Sequence, residues 1–187
     1  MNFDKIKAIC KKTKHISLFD TEDYQWLGDE FAIYPLYEHP EYNKDTIASV
    51  LSLDEKKKAE MIYHIGDMPA YIDCSDSAVS DKPCGIFGIN IQCMNRAVIP
   101  LITTEGLKLI ETKYIQPVIN SEFVFYERKM PNGRFYIILK VGFVLEAIIT
   151  PCNELILTNT LVDELNSLAD GASEALTNKM IAENSEN

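Results

Sequence analysis

The sequence predicts an α+β fold in which antiparallel meanders pack with helices, and three observations predict it. Residues 122–151, EFVFYERKMPNGRFYIILKVGFVLEAIITP, hold three β-branched and aromatic runs, broken at Met130-Pro131-Asn132-Gly133 and again at Gly142. Proline pre-sets φ for a turn while Asn and Gly tolerate positive φ, so each corner of this meander has a mechanism. Segments of helical spacing alternate with such runs, in the order α-βββ, α, loop, βββ-α, βββ-α, which is also the order of serial helix-plus-three-strand units. Polar–apolar alternation within the strands is imperfect, as expected where helices or loops cover both faces of a sheet. No residue-level self-similarity accompanies the recurring order.

Taken in order, Asp4 is a candidate cap for a first helix running to about Thr13, with Phe3, Ile6, Ile9 and Cys10 inward and the lysines outward. HISLFD alternates as a strand, and YQWL and EFAIYPL form a hairpin about Gly28-Asp29 that ends at Pro35. Asn43 to Met61 is helical in character through Ile47, Val50 and Leu51, with Asp54 capping a second short helix that holds Lys56, Lys57 and Lys58. Residues 66–85, rich in Asp, Ser, Pro and Gly, read as a long loop. GIFGINIQCM and RAVIPLI are strands joined at Asn95. GLKLIETKYIQPVI fits a strand through Leu107, Leu109 and Ile115 and a helix through Leu107, Ile110 and Tyr114, with Pro117 limiting either. After the meander, LVDELNSLAD places Leu161, Leu165 and Leu168 at helical spacing before Gly171 as C-cap. These elements make one α+β domain over residues 1–170, followed by a polar tail, 171–187, that is a frayed helix or disordered.

Composition bounds the function. At 187 residues, 47% hydrophobic and 25% charged, the chain has the balance of a soluble globular protein. No apolar run approaches the ~20 residues that span a bilayer, and the lysine-rich start MNFDKIKAICKKTK lacks the apolar stretch of a signal peptide. A cytoplasmic location without membrane contact is the expectation. Net charge is −10, yet residues 1–20 carry five lysines against two acids and residues 146–187 carry eight acids against Lys179. Acidity overall is not the signature of a nucleic-acid binder, whereas this asymmetry suits either a charged partner or self-association as a homo-oligomer. Solvated helix faces are the simpler explanation.

Residue by residue, no catalytic constellation emerges. Trp26, Tyr24, Tyr34 and Tyr37 form an aromatic group that is either a protein-contact anchor or one face of the core. Lys7, Lys11, Lys12 and Lys14 are candidate contacts for the phosphates of duplex DNA. His15, His39 and His64 are widely separated, and no spacing nominates any as a base. Asp20, Glu22, Asp23, Asp29 and Glu30 flank turns, and Asp73, Asp76 and Asp81 lie in the long loop; oxygen ligation of a cation is conceivable for both sets, but neither has the spacing of a Ca²⁺ loop. Gly85 and Gly88 lack the Lys-Ser/Thr of a phosphate loop. Cys10, Cys74, Cys84, Cys93 and Cys152 are odd in number and form no C-x-x-C pair, which argues against a disulfide frame or zinc site. The expectation is no enzyme, no cofactor and no metal.

Two resemblances add to this. ICKKTKHISLFD, QWLGDEFAIYPLY, LSLDEKKKAEM, NRAVIPLITTEGL, KYIQPV and FYERKMPNGRFYIILKVG resemble an uncharacterised family of phage and prophage proteins from Gram-positive gut bacteria, over most of the chain to about Leu165. That resemblance implies a cytoplasmic accessory protein encoded on a mobile element and assigns no catalytic residue. The serial helix-plus-meander order is similar to that of DNA sliding clamps, which implies an amino-terminal helix facing DNA and a need to oligomerise. A non-enzymatic accessory protein with a protein partner is therefore expected, and a clamp-like replication factor on duplex DNA is the alternative.

Overall fold

The first helix forms because apolar residues recur at helical spacing behind a polar cap. α1 (Phe3–Thr13) buries Ile6, Ile9 and Cys10. Its cap is Asn2, whose side chain accepts from the Lys5 N–H, while Asp4 sits in the first turn where its charge favours the helix dipole. The structure is a computed structural model that describes residues 1–152 apart from 87, 89, 94, 95, 120, 121, 131, 132 and 134, together with Ser167. Apart from Ser167, the expected helix over LVDELNSLAD lies outside the described residues, as do the polar tail and the corner at Asn95.

Three helices and twelve strands among the described residues make an α+β fold. β1 (His15–Asp20), β2 (Gln25–Gly28) and β3 (Ala32–Pro35) form the expected antiparallel hairpins. α2 (Lys44–Val50) opens on a capping box at Asn43 and Thr46, and α3 (Glu55–Glu60) opens on Asp54 as expected. β4 (Ile62–Asp67) then runs parallel to β1, so the long loop begins after Asp67. Periodicity missed this strand because IYHIGD exposes residues on both faces.

After residues 68–81 come the short β5 (Lys82–Pro83) and β6 (Gly85–Ile86), then β7 (Ile91–Cys93), β8 (Arg96–Thr103) and β9 (Gly106–Glu111). The ambiguous GLKLIETKYIQPVI is a strand to Glu111 and then a 3-10 turn over Thr112–Tyr114. β10 (Phe123–Lys129), β11 (Phe135–Val141) and β12 (Val144–Ile149) are the expected meander.

Strand order shows how the pieces join. One eight-stranded sheet runs β4-β1-β2-β3-β12-β11-β10-β5, and β6 to β9 form a second, four-stranded sheet. The expected helix-plus-three-strand order occurs once among the described residues, at α1-β1-β2-β3, and that unit does not close separately, because β12 pairs with β3 and merges the first and last meanders. Both faces of the large sheet are covered, which explains the blurred alternation. Ile137, Leu139, Ala147 and Ile149 pack with α1, α2 and the 3-10 turn, whereas Tyr136, Ile138, Leu145 and Ile148 pack with Trp26 under the 68–81 segment.

Candidate functional site

The most distinctive surface is a basic pole where α1 ends and α3 begins to lead into β4. α1 stops at Lys14, whose left-handed φ of 57° lets its N–H close on the Cys10 carbonyl. The Lys14 carbonyl then accepts from the Ile62 N–H at 2.9 Å, which ties the end of α1 to the exit of α3. Asp54 fixes the start of α3 by accepting from the Lys57 N–H at 2.8 Å. In consequence Lys11, Lys14 and Lys57 rim a pocket of about 270 Å³ with Leu53 and Met61 in its wall. Lys12, Lys56 and Lys58 stand on the same two helices.

These cations are available to a partner. Lys14 pairs with Glu60 at 2.7 Å and Lys57 with Asp54 at 3.1 Å, in exposed bridges that water and salt screen. Lys11 and Lys12 have no ion-pair partner among the described residues. Lys58 hydrogen-bonds to Glu55, which raises its pKa, and the Lys57 N–H holds the Asp54 carboxyl below its ordinary range. Lys7 differs from the other predicted lysines: it salt-bridges Asp4 at 2.6 Å and lies 5.3 Å from the Phe3 ring centroid, away from the pocket. The hydrogen bond from Lys7 lowers the Asp4 pKa. The sequence places lysines 56–58 on a short helix and nominates them for no site. The signal that joins them to α1 is the strand following each lysine run, because β1 and β4 pair in parallel.

The four aromatic candidates do not make one surface. Adjacent residues on a strand point to opposite faces, and the register Trp26↔Pro35 with Leu27↔Tyr34 puts Trp26 and Tyr34 on opposite sides of the sheet. Both are fully buried, so as contact anchors they are corrected to core residues. The Tyr34 hydroxyl donates to the Tyr114 carbonyl at 2.8 Å. Tyr24 and Tyr37 are half-buried and meet edge-on at 4.7 Å, and the Tyr37 hydroxyl donates to the Leu145 carbonyl. Burial raises the pKa of both phenols, so they serve as neutral packing groups.

The acidic loop is a strap, and its carboxylates are committed. Arg128, fully buried, grips Asp81 through Nε at 2.6 Å and Nη2 at 2.8 Å, and its Nη1 donates to the Asp73 and Ser75 carbonyls. Lys140 adds a bond to Asp81 at 2.8 Å. Against the desolvation that favours its neutral form, these bonds hold the Asp81 carboxyl at about 2. Tyr136 exchanges bonds with Asp73, and Asp76 accepts from the Leu145 N–H. No group of acidic, histidine or cysteine side chains among the described residues is arranged to hold a metal ion.

Elsewhere the polar groups hold the fold together. Asp29, almost wholly buried, accepts from the Phe31 and Ala32 N–H groups and from the Tyr114 hydroxyl at 3.0 Å. Burial, with Asp29 nearby, pushes the Cys10 thiol up to about 12, and burial alone dominates the same rise at Cys74 and Cys84. At neutral pH these thiols stay protonated and poorly nucleophilic. Cys152 is a free, half-buried thiol, and the side chain of Cys93 lies outside the described residues. His15 stacks on His64 at 4.7 Å, and His39 lies against Phe3.

A larger groove, about 840 Å³, follows the seam where β3 and β12 share only two register pairs. Three of its charged groups are engaged, Asp29 as above, Lys108 over the Phe135 ring at 5.0 Å and Glu105 with Lys129 at 3.4 Å, while the exposed Glu30 has no ion-pair partner among the described residues. It offers volume without a poised acid, base or nucleophile among the described residues, so the basic pole is the stronger candidate. No helix among the described residues is long and apolar enough to cross a membrane. Comparisons with protein families, with curated proteins and with solved structures find no match to this chain.

Proposed function

We propose that this protein acts by binding rather than by turnover, as a non-enzymatic accessory protein of the phage or prophage setting that its sequence resemblance implies. Its basic pole receives an acidic protein partner. The observation that carries the reading is the convergence of two lysine clusters, distant in sequence, on one pocket of an otherwise acidic chain. The lysine rim supplies attraction and orientation. The apolar wall of Leu53 and Met61 gives one side chain of the partner a place to anchor.

Duplex DNA is the second reading, and the exposed lysines of α1 favour it, since phosphate contacts need positive charge and no base-reading group. A direct test titrates a labelled acidic peptide carrying one leucine, and separately a labelled short duplex, at low and high salt. Peptide binding that weakens when leucine becomes glycine supports the protein-partner reading. Duplex binding with a steep salt slope and no peptide binding moves the assignment to DNA. Binding of neither at low salt overturns both.

A further inference from the structure

We infer that β4 is a dimerisation edge that pairs antiparallel with β4 of a second copy of this chain, extending the large sheet across a two-fold axis. β4 is the terminal strand of that sheet. The Ile62 N–H donates to the Lys14 carbonyl and the Met68 N–H to the Asp20 carbonyl, each at 2.9 Å. Residues of a parallel strand alternate in which side their backbone groups face. Ile62, His64 and Gly66 therefore bond to β1, and Tyr63, Ile65 and Asp67 direct N–H and C=O away from the sheet. No backbone partner for these groups appears among the described residues.

Such an edge is ordinarily blunted by lysine, proline, a bulge or a very short strand. The opposite edge of the sheet follows that rule, because β5 is two residues long and ends in Pro83. β4 does not. It runs six residues in unbroken register with β1, its only charge is the terminal Asp67, and Ile62 and Ile65 are 56% and 41% exposed.

Charge selects a second copy as the occupant. The start of β4 follows Met61, which shares a pocket with Lys11, Lys14, Lys57 and a single acid, Glu60, while its end lies beside Asp20, Glu22 and Asp23, with Asp67 itself paired in register to Asp20. Pairing about a two-fold at Ile65 sets the basic end of each strand against the acidic end of the other. In that register Tyr63 faces the second copy's Asp67 and Ile65 faces its own counterpart, so every outward N–H and C=O meets a partner. A parallel pairing would set like charges together.

The experiment is molecular mass by light scattering over a dilution series at low and high salt, with hydrogen exchange on the same samples. The expected result is a concentration-dependent dimer, strengthened at low salt, in which the Tyr63, Ile65 and Asp67 amides gain protection as the dimer fills. Ile65→Pro removes the central outward donor while sparing the bonds to β1, and Ile65→Lys sets two cations face to face; each should return the chain to a monomer. Phe143→Lys, at a side chain 92% exposed on a turn far along the sequence, should leave the dimer intact. If Ile65→Pro fails to fold, Ile65→Lys reads the same interface. A monomer at every concentration overturns the inference, and so does a dimer in which those three amides stay unprotected.

Discussion

The Arg128 clasp and the basic pole are both clusters of charge, and water separates their fates. At the clasp, Arg128 and Lys140 converge on Asp81 beneath the strap with almost no exposure. At the pole, Lys14 and Lys57 lean on acids that are themselves open to solvent. Removing one partner of a buried set strands the others in a poor solvent, whereas an exposed lysine deleted from the pole leaves its neighbours hydrated. Buried charge here specifies where the strap lies, and exposed charge is left to meet something outside the molecule.

That contrast breaks most visibly at its buried end. Arg128→Ala should destabilise the protein by about 3–5 kcal/mol, read by chemical denaturation, because Asp81 loses its bidentate partner and two strap carbonyls lose their donor. Trp26→Ala should cost about 3–5 kcal/mol through the cavity it opens under the same strap. A loss below 1 kcal/mol at either position would mean that the strap does not seal that face.

Acid sharpens the comparison. The Asp81 carboxyl is held at about 2, below its ordinary 3.8, so its contribution is present above 3.8 and is lost as pH falls through about 2. Melting temperature should fall across that window. Asp81→Asn should be less stable at neutral pH and should show a shallower acid slope. At the exposed end the effect on stability is smallest: Lys11→Ala, Lys14→Ala and Lys57→Ala should each stay within about 0.5 kcal/mol of the parent.

The meander, the first hairpin and the capped helices were legible because each rests on local chemistry: Gly142 at a corner, Asp54 as a cap, apolar spacing on α1. What the sequence hid is non-local. β4 pairs in parallel with a strand some 47 positions earlier, counting from His15 to Ile62, so no turn announces it. The strap looked like a free acidic loop because Arg128 and Lys140 lie far along the chain from Asp81. Trp26 and Tyr34 looked like one aromatic face because that appearance ignores which side of the sheet each occupies, and the hairpin register separates them. Half of the basic pole was visible as the lysines of α1. The other half needed the fold to bring α3 alongside.

The measurement that bears most directly on the account compares the parent with the combined Lys11→Ala, Lys14→Ala, Lys57→Ala variant, titrating the labelled acidic leucine peptide at low salt while following melting temperature. The variant should lose at least ~10-fold in affinity, about 1.4 kcal/mol, with its melting temperature unchanged. Undiminished binding by a folded variant would contradict it.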